Sequence, residues 1–339
     1  MLHNNNPHIS IVLPCYNGER FLSDAIKSCL NQSYTNFELI IINDCSTDKT
    51  ADIANQFAKK DHRINIITNK TNKKLPASLN IGHRRAKGDF ITWTSDDNVL
   101  KPNFLEKMIQ QIIESRSDLV YSNYEVINEN GGFKRIHITG PTEHILFGNK
   151  IGASFLYKKE VFSMLNGYDE SLFLLEDYEF WLRASMQFKF IHVKEVLYEY
   201  RLHEKSLTAN IQQKNKAKSN HKKGVLKMFN KLADKLSWNY ETLQFIKDHF
   251  LHEQVNLLHY MSHKNKIDQD ILLFNPKRFN EIEVERGINE VLRSHLLSDI
   301  CNRNLKTCFR VLRSKRELLL HTSYSRRYTL QYVLKSIFK

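Results

Sequence analysis

The chain has 339 residues, 41% of them hydrophobic, with only 11 Gly and 6 Pro, which supports a sizeable packed core and excludes a chain dominated by disorder. Its formal charge of +13 is uneven: residues 1–204 carry 24 basic and 25 acidic side chains, whereas residues 205–339 carry 26 and 12. Five cysteines without zinc or redox-pair spacing point to a reduced, cytoplasmic setting. The opening MLHNNNPHIS lacks a basic start and an apolar run, so no signal peptide is expected. No stretch approaches the roughly 18 apolar residues that a membrane-crossing helix needs.

In chain order, the β-branched run at residues 9–13 predicts a strand closed by the turn-forming Tyr16-Asn17-Gly18. Phe21, Leu22, Ala25, Ile26, Cys29 and Leu30 then recur near the helical period. Residues 37–42 predict a second strand, which ends in Asn43-Asp44-Cys45-Ser46-Thr47-Asp48. There Ser46 or Thr47 would cap a helix carrying Ile53, Ala54 and Phe57. A third strand is expected at 64–68, a helix at 77–86, a fourth strand at 90–94 and a helix at 102–113. Wholly apolar strands separated by helices imply an α/β domain: a mostly parallel sheet with helices on both faces. Ligands bind such sheets at the carboxyl ends of the strands, where the polar clusters after strands one, two and four fall. From about Lys205 the strand signals fade, and Lys-rich helical stretches such as 222–236 and 290–320 take over. The expected division is an α/β domain over residues 1–207 and a helical, basic domain over 208–339.

Residues 90–98 (FITWTSDDN) run an apolar strand into the adjacent carboxylates Asp96 and Asp97. Like charges that close repel unless a cation or a set of donors compensates them. A hard divalent cation, which takes one or two protein carboxylates together with phosphate oxygens, is the natural partner. A strand-end turn that caps the next helix is the plain alternative.

Four segments in order carry a resemblance: residues 9–20 (ISIVLPCYNGER), 37–48 (FELIIINDCSTD), 80–97 (NIGHRRAKGDFITWTSDD) and 175–183 (LEDYEFWLR). Over about residues 8–204 the chain resembles family 2 of the inverting glycosyltransferases, which have the GT-A fold. The resemblance implies a nucleotide-sugar donor bound with Mn²⁺ or Mg²⁺, and a single displacement that inverts the anomeric carbon. Pro14 and Tyr16 match the loop that holds the nucleobase, and a Tyr face suits stacking. Asp44 matches the acid that accepts from the base ring, and Lys74 a position near the donor. Asp97 matches the metal ligand, while Asp96 would reach the ribose or the metal's waters. The commonest family form has a carboxylate two residues before the metal ligand, and here that place is Ser95. In Glu176-Asp177 the resemblance puts the general base on Asp177, with Glu176 as the alternative. Without it, both read as first-turn acids favoured by the helix dipole. In Tyr200-Arg201-Leu202-His203, His203 would reach the metal and Arg201 the phosphates. Gly167-Tyr168-Asp169 resembles an acceptor-side loop, with no chemical step for Asp169. The implied acceptor is a hydroxyl of a glycan or lipid-linked molecule, and the implied setting is bacterial surface polysaccharide synthesis from a UDP-sugar.

A nicotinamide-dependent enzyme would need a glycine-rich turn after the first strand, and that turn holds Gly18 alone. No aromatic recognition motif accompanies the basic excess, so nucleic acid is not an expected partner. The remaining alternative is a basic nucleic-acid- or membrane-binding protein with a silent domain of this fold. At the end of the chain, Leu330, Val333, Leu334, Ile337 and Phe338 share one helical face, with Arg326, Arg327, Lys335 and Lys339 beside it. That pattern suits either a helix lying on an anionic membrane, peripheral on the inner face, or an oligomer contact. It equally suits a helix packed on its own neighbours.

Overall fold

The computed structural model describes residues 6–213, 215–274, 280–320 and 326–337. Its contacts form two compact units, one of residues 1–141 and 150–221, the other of residues 142–149 and 222–339. The division thus falls beyond the expected 207/208, and a short segment from the middle of the α/β region belongs to the second unit.

In the first unit β1 (Ile9–Cys15), β2 (Phe37–Asn43), β3 (Ile64–Thr68) and β4 (Phe90–Trp93) lie parallel. Every residue of β1 and β2 is buried, as mostly apolar strands covered on both faces require. The polar Ser10 and Glu38 among them meet each other, Ser10 Oγ donating to Glu38 Oε1 at 2.7 Å. The helices α1 (Leu22–Leu30), α2 (Thr50–Ala58) and α3 (Leu75–Arg85) connect them. Leu22, Ala25, Ile26 and Cys29 form the inward stripe of α1. The remaining elements are β5 (Val99–Leu100), α4 (Phe104–Glu114), β6 (Leu119–Ile127), β7 (Phe133–His137), β8 (Phe155–Lys158), α5 (Lys159–Met164), α6 (Glu176–Ser185), β9 (Phe190–Arg201) and α7 (Leu207–Gln213). The sheet order is β3-β2-β1-β4-β8-β6-β9-β5, with β7 on β6.

The sheet is more mixed than expected. β8 runs antiparallel to both β4 and β6, although β6 and β9 pair in parallel. Pro14 sits in β1 without breaking it. Val12 accepts from Thr94 on the β4 side, so Pro14, two residues on, points to the same side past the last β1–β4 pair. Its missing N–H therefore removes no ladder bond.

Ser46 and Thr47 do not cap α2. Its N-cap is Lys49, while Asp48 accepts from the Thr50 N–H. Ser46 Oγ accepts from Asn17 N–H, and Asn17 Oδ1 accepts from Thr47 N–H. The polar cluster is spent on the β1–α1 loop, where Asn17 takes the left-handed φ of 52° that its short polar side chain tolerates.

The second unit is helical: α8 (Asn215–Leu236), α9 (Tyr240–Phe250), α10 (Leu257–Leu273), α11 (Glu281–Ser298), α12 (Leu305–Ser314), α13 (Glu317–Leu320) and α14 (Arg326–Ile337). The first residues of α8 belong to the first unit. Asn256, Asn280 and Asn304 cap α10, α11 and α12 through their side-chain oxygens. In α14 the buried positions are Tyr332 and Ser336, and Leu330, Leu334 and Ile337 point outward. Phe338 and Lys339 lie outside the described residues, as does the Arg326 side chain. Among the described residues no helix is long and apolar enough to cross a membrane.

Candidate functional site

The carboxyl ends of β1, β2 and β4 bring the expected acids together. The β1–α1 loop is laced to the β2–α2 loop by Gly18 N–H to Thr50 Oγ1 at 2.9 Å and Glu19 N–H to Asp48 Oδ2 at 3.1 Å. Tyr16 leaves its ring exposed while its N–H donates to Asp96 Oδ2 at 3.2 Å. Burial and the neighbouring charge of Asp97 push the Asp96 carboxyl up. The thiol of Cys15 is also pushed up, by burial and then by the charges of Asp96, Asp48 and Asp44. It stays protonated in a strongly negative corner and makes no nucleophile.

Asp44 is buried and already well supplied with donors. Its Oδ1 accepts from Asn69 Nδ2 and the Lys73 N–H, both at 2.8 Å, and its Oδ2 from the Lys74 N–H at 2.9 Å. Three of about four lone-pair sites are therefore taken. Lys74 is exposed and holds a left-handed φ of 72° at the entry to α3, which aims its N–H at Asp44.

Pairing of β5 with β9, Val99 against Glu199, carries the Asp96-Asp97 loop to the end of β9. There Asp97 Oδ2 meets His203 Nε2 at 2.9 Å. Its other oxygen, Oδ1, is buried with no hydrogen-bond partner. A buried carboxylate oxygen without a donor is costly unless a ligand completes it. Arg201, also buried, donates from Nε to Asp97 O at 2.9 Å and from Nη1 to Glu129 O at 3.1 Å. Its backbone N–H reaches Asn98 Oδ1 at 2.8 Å. These contacts prop the Asp97 loop and engage two of the five N–H donors of the guanidinium. Phe21 lies beneath both partners, its ring centre 4.9 Å from that of His203 and 4.8 Å from the Arg201 guanidinium.

Among the described residues no cluster of three or more His, Cys, Asp and Glu side chains forms a metal cage. The donor set fits a divalent cation nonetheless. Asp97 and His203 offer two ligands and an orphaned oxygen, and such cations commonly complete their shell with phosphate oxygens and water.

Glu176 and Asp177 open α6 with different surroundings. Glu176 is buried, its Oε2 accepts from the Leu174 N–H at 2.7 Å, and burial followed by the charge of Asp177 pushes its carboxyl up. Asp177 is half-buried, and its Oδ1 accepts from Tyr178 N–H at 2.7 Å. The rings around it feel its charge: Tyr124, Tyr168 and Tyr200 are all raised, first by burial and in part by Asp177. Tyr200 is also raised by Asp97, which sets the two carboxylates within electrostatic reach of one ring.

A buried chain of donors behind the Gly167-Tyr168-Asp169 loop was not legible in the sequence. His83 Nδ1 lies 2.7 Å from the Leu79 carbonyl and must carry its proton there, while burial pushes the imidazole down to about 3 and keeps it neutral. Its Nε2 then accepts from Tyr157 O–H at 2.7 Å, Tyr157 accepts from Tyr168 O–H at 2.9 Å, and Tyr168 accepts from Trp93 Nε1–H at 3.0 Å. Asn80 clamps the loop from the side, giving to Tyr168 O at 2.9 Å and taking from Tyr168 N–H at 2.9 Å. Motif residues 80–97 hold Asn80, His83 and Trp93, but only the folded chain shows what they grip. Phe21 and Gly18 were likewise visible only as a core position and a turn.

The pattern of Glycosyl transferase family 2 matches residues 10–167. An uncharacterized glycosyltransferase of Haemophilus influenzae is 40% identical over 127 residues, covering 38% of this chain and 51% of the relative. This chain thus spans about half of that protein's length. The putative glycosyltransferase EpsE of Bacillus subtilis is 34% identical over 206 residues, covering 58% of this chain and 74% of EpsE. Among solved structures, S. aureus TarS 1–349 in complex with UDP-GlcNAc has a TM-score of 0.58 at 16% identity, covering 96% of this chain and 89% of that one. At that identity the likeness is one of fold, and it bears out the GT-A α/β region followed by helices.

Proposed function

The chain belongs to glycosyl transferase family 2, and on that premise we propose that it transfers a sugar from a nucleotide diphosphate donor to an acceptor hydroxyl, with inversion. The observation that carries this reading is Asp97: one oxygen on His203 and the other buried without a donor, at the strand end where the acidic corner opens. The exposed ring of Tyr16 stacks on the nucleobase, and Asp44 offers its last lone pair to the base edge. Pro14 shapes that loop, Lys74 stands beside the donor, and Asp96 faces the ribose. Asp97 and His203 would hold Mn²⁺ or Mg²⁺, and a bound cation supplies charge neutralisation for the departing diphosphate. Arg201 keeps the Asp97 loop in register by gripping two carbonyls.

Asp177 is the general base. It is the more accessible of the acidic pair, and a carboxylate must come within hydrogen-bond reach of the acceptor hydroxyl. Glu176, turned inward on Leu174, holds the start of α6 in place and remains the alternative base. A UDP-sugar is the favoured donor, supported by the UDP-GlcNAc carried by TarS, whose fold is similar. The favoured acceptor is a glycan or lipid-linked molecule of bacterial surface polysaccharide synthesis. A lipid-linked acceptor would give the basic second unit a purpose, as the part that keeps the enzyme at an anionic membrane face. The test is a panel of nucleotide sugars incubated with the purified protein and Mn²⁺, read as released nucleotide. Release from one donor and not the others supports the reading, and no release from any donor refutes it.

A further inference from the structure

The second unit leaves two apolar stripes uncovered, and they follow one design. On α12, Leu305, Phe309 and Leu312 are 49%, 70% and 40% exposed. On α14, Leu330, Leu334 and Ile337 are 59%, 43% and 49% exposed. Both sets fall at i, i+4 and i+7, which keeps three side chains within an arc of about 60° on a helix of 3.6 residues per turn. The opposite faces are spoken for. Thr307, Cys308 and Val311 of α12 and Tyr332 and Ser336 of α14 are buried, and Ser336 Oγ donates to Tyr332 O at 2.9 Å. Outward apolar stripes on two neighbouring helices are therefore not the inner face of this unit turned the wrong way.

Charge identifies what covers them. Next to the first stripe stand Lys306, Arg310 and Arg313, and next to the second Arg327 and Lys335, all exposed. Neither helix carries an acidic residue. A second copy of the chain docked through the same face would set these like charges against each other, which works against a symmetric contact. A nucleic acid would find only one aromatic ring in the two stripes and five aliphatic side chains that give no base a platform. Apolar side chains rimmed by cations alone match the headgroup boundary of an anionic bilayer, where acyl chains take the stripe and phosphates the rim.

We propose that α12 and α14 form a docking face for anionic lipid, with Leu305, Phe309, Leu312, Leu330, Leu334 and Ile337 entering the headgroup layer. This rests on the membrane placement proposed above and assigns it to particular side chains, α12 included, whose stripe the sequence pattern of the final helix does not contain. The face is tested by sedimenting the full-length protein with vesicles of phosphatidylcholine alone and with equal parts of phosphatidylglycerol. Binding is expected only with the anionic lipid and is expected to weaken as salt is raised. Each basic side chain at such a surface contributes about fivefold to partitioning, so Arg310→Gln with Arg313→Gln should weaken it by about 25-fold. Phe309→Ser with Leu334→Ser should weaken it by about tenfold or more. All four positions are exposed, and an unchanged circular dichroism melt checks that the variants fold. Equal binding by either double variant, or equal binding to neutral vesicles, overturns the proposal. So does a concentration-dependent dimer that Phe309→Ser abolishes while vesicles are ignored, since that outcome gives the face to a second copy. Nucleotide release measured without vesicles keeps the two readings apart: a variant that loses lipid but still turns over donor bears on docking alone.

Discussion

Gly18→Ala perturbs the candidate site with almost no change to the backbone around it. A Cβ added to Gly18 would lie 2.1 Å from Asp96 Oδ2, 2.7 Å from its Cγ and 3.2 Å from its Cβ. Ordinary contact begins at 3.4 Å, so the carboxylate must retreat by 3.4 − 2.1 = 1.3 Å. The backbone has no reason to resist, because Gly18 is outside the left-handed region and its carbonyl keeps the Phe21 and Leu22 N–H groups that start α1. What is lost is the bond from Tyr16 N–H to Asp96, whose carboxyl burial and Asp97 push towards the neutral form, a bond of about 0.5–1.5 kcal/mol. An alanine with ordinary φ returns about 0.4–1 kcal/mol through the unfolded chain. The net cost to stability is then about 1 kcal/mol or less, a shift of at most a few degrees in melting temperature. A displacement of about 1 Å at a reacting centre costs about 10²-fold in rate. Nucleotide release should therefore fall by about that factor while the melt shifts only slightly. A variant with wild-type turnover and donor KM would show that Asp96 is not part of the working site.

Two further outcomes follow from the acids. Mn²⁺ should raise the melting temperature of the wild type by a few degrees at saturating concentration, and EDTA should stop turnover. Asp97→Asn should lose both the metal-dependent rise and the activity, and an equal rise in the variant would show that the cation binds elsewhere. The second outcome concerns pH. Burial and Asp177 push the Glu176 carboxyl up from 4.5 to about 8, so in that window the folded state holds a proton that the unfolded chain has released. Stability from this group is full below about 4.5 and falls as pH rises through 8. Glu176→Gln cannot titrate, so the wild type should lose ground to it across that window, and parallel melting curves would contradict the assignment.

β1, β2 and β4 were legible because apolar runs buried on both faces leave little choice of structure. β3 was legible from its β-branched residues although it is a half-exposed edge strand, and the acidic pair after β4 was legible because two adjacent carboxylates need a reason. The family resemblance implied only that Asp97 and His203 serve one metal; their direct hydrogen bond spans 106 residues and is hidden from any local window. Features decided by distant partners escaped. Ser46 and Thr47 look like caps until Asn17, some thirty residues away, takes them. The direction of β8 depends on β4 and β6, not on its own four residues. The resemblance puts Arg201 on the phosphates, and the contacts of its Nε and Nη1 with the Asp97 and Glu129 carbonyls were beyond any local window. In α14 the periodicity finds an apolar stripe but not which side of the helix is inward. Tyr332 lies outside that stripe because two residues on from Leu330 a helix has turned by about 200°. Its ring is buried, with the O–H given to Asn302 O at 3.1 Å.

Asp177→Asn tests the central claim most directly, because it removes the proposed base and leaves the residues assigned to the donor untouched. Donor affinity, measured by titration calorimetry with Mn²⁺ present, should stay within a few-fold of wild type, while transfer to acceptor falls by about 10²–10⁴. Transfer at the wild-type rate would place the base elsewhere and contradict the account.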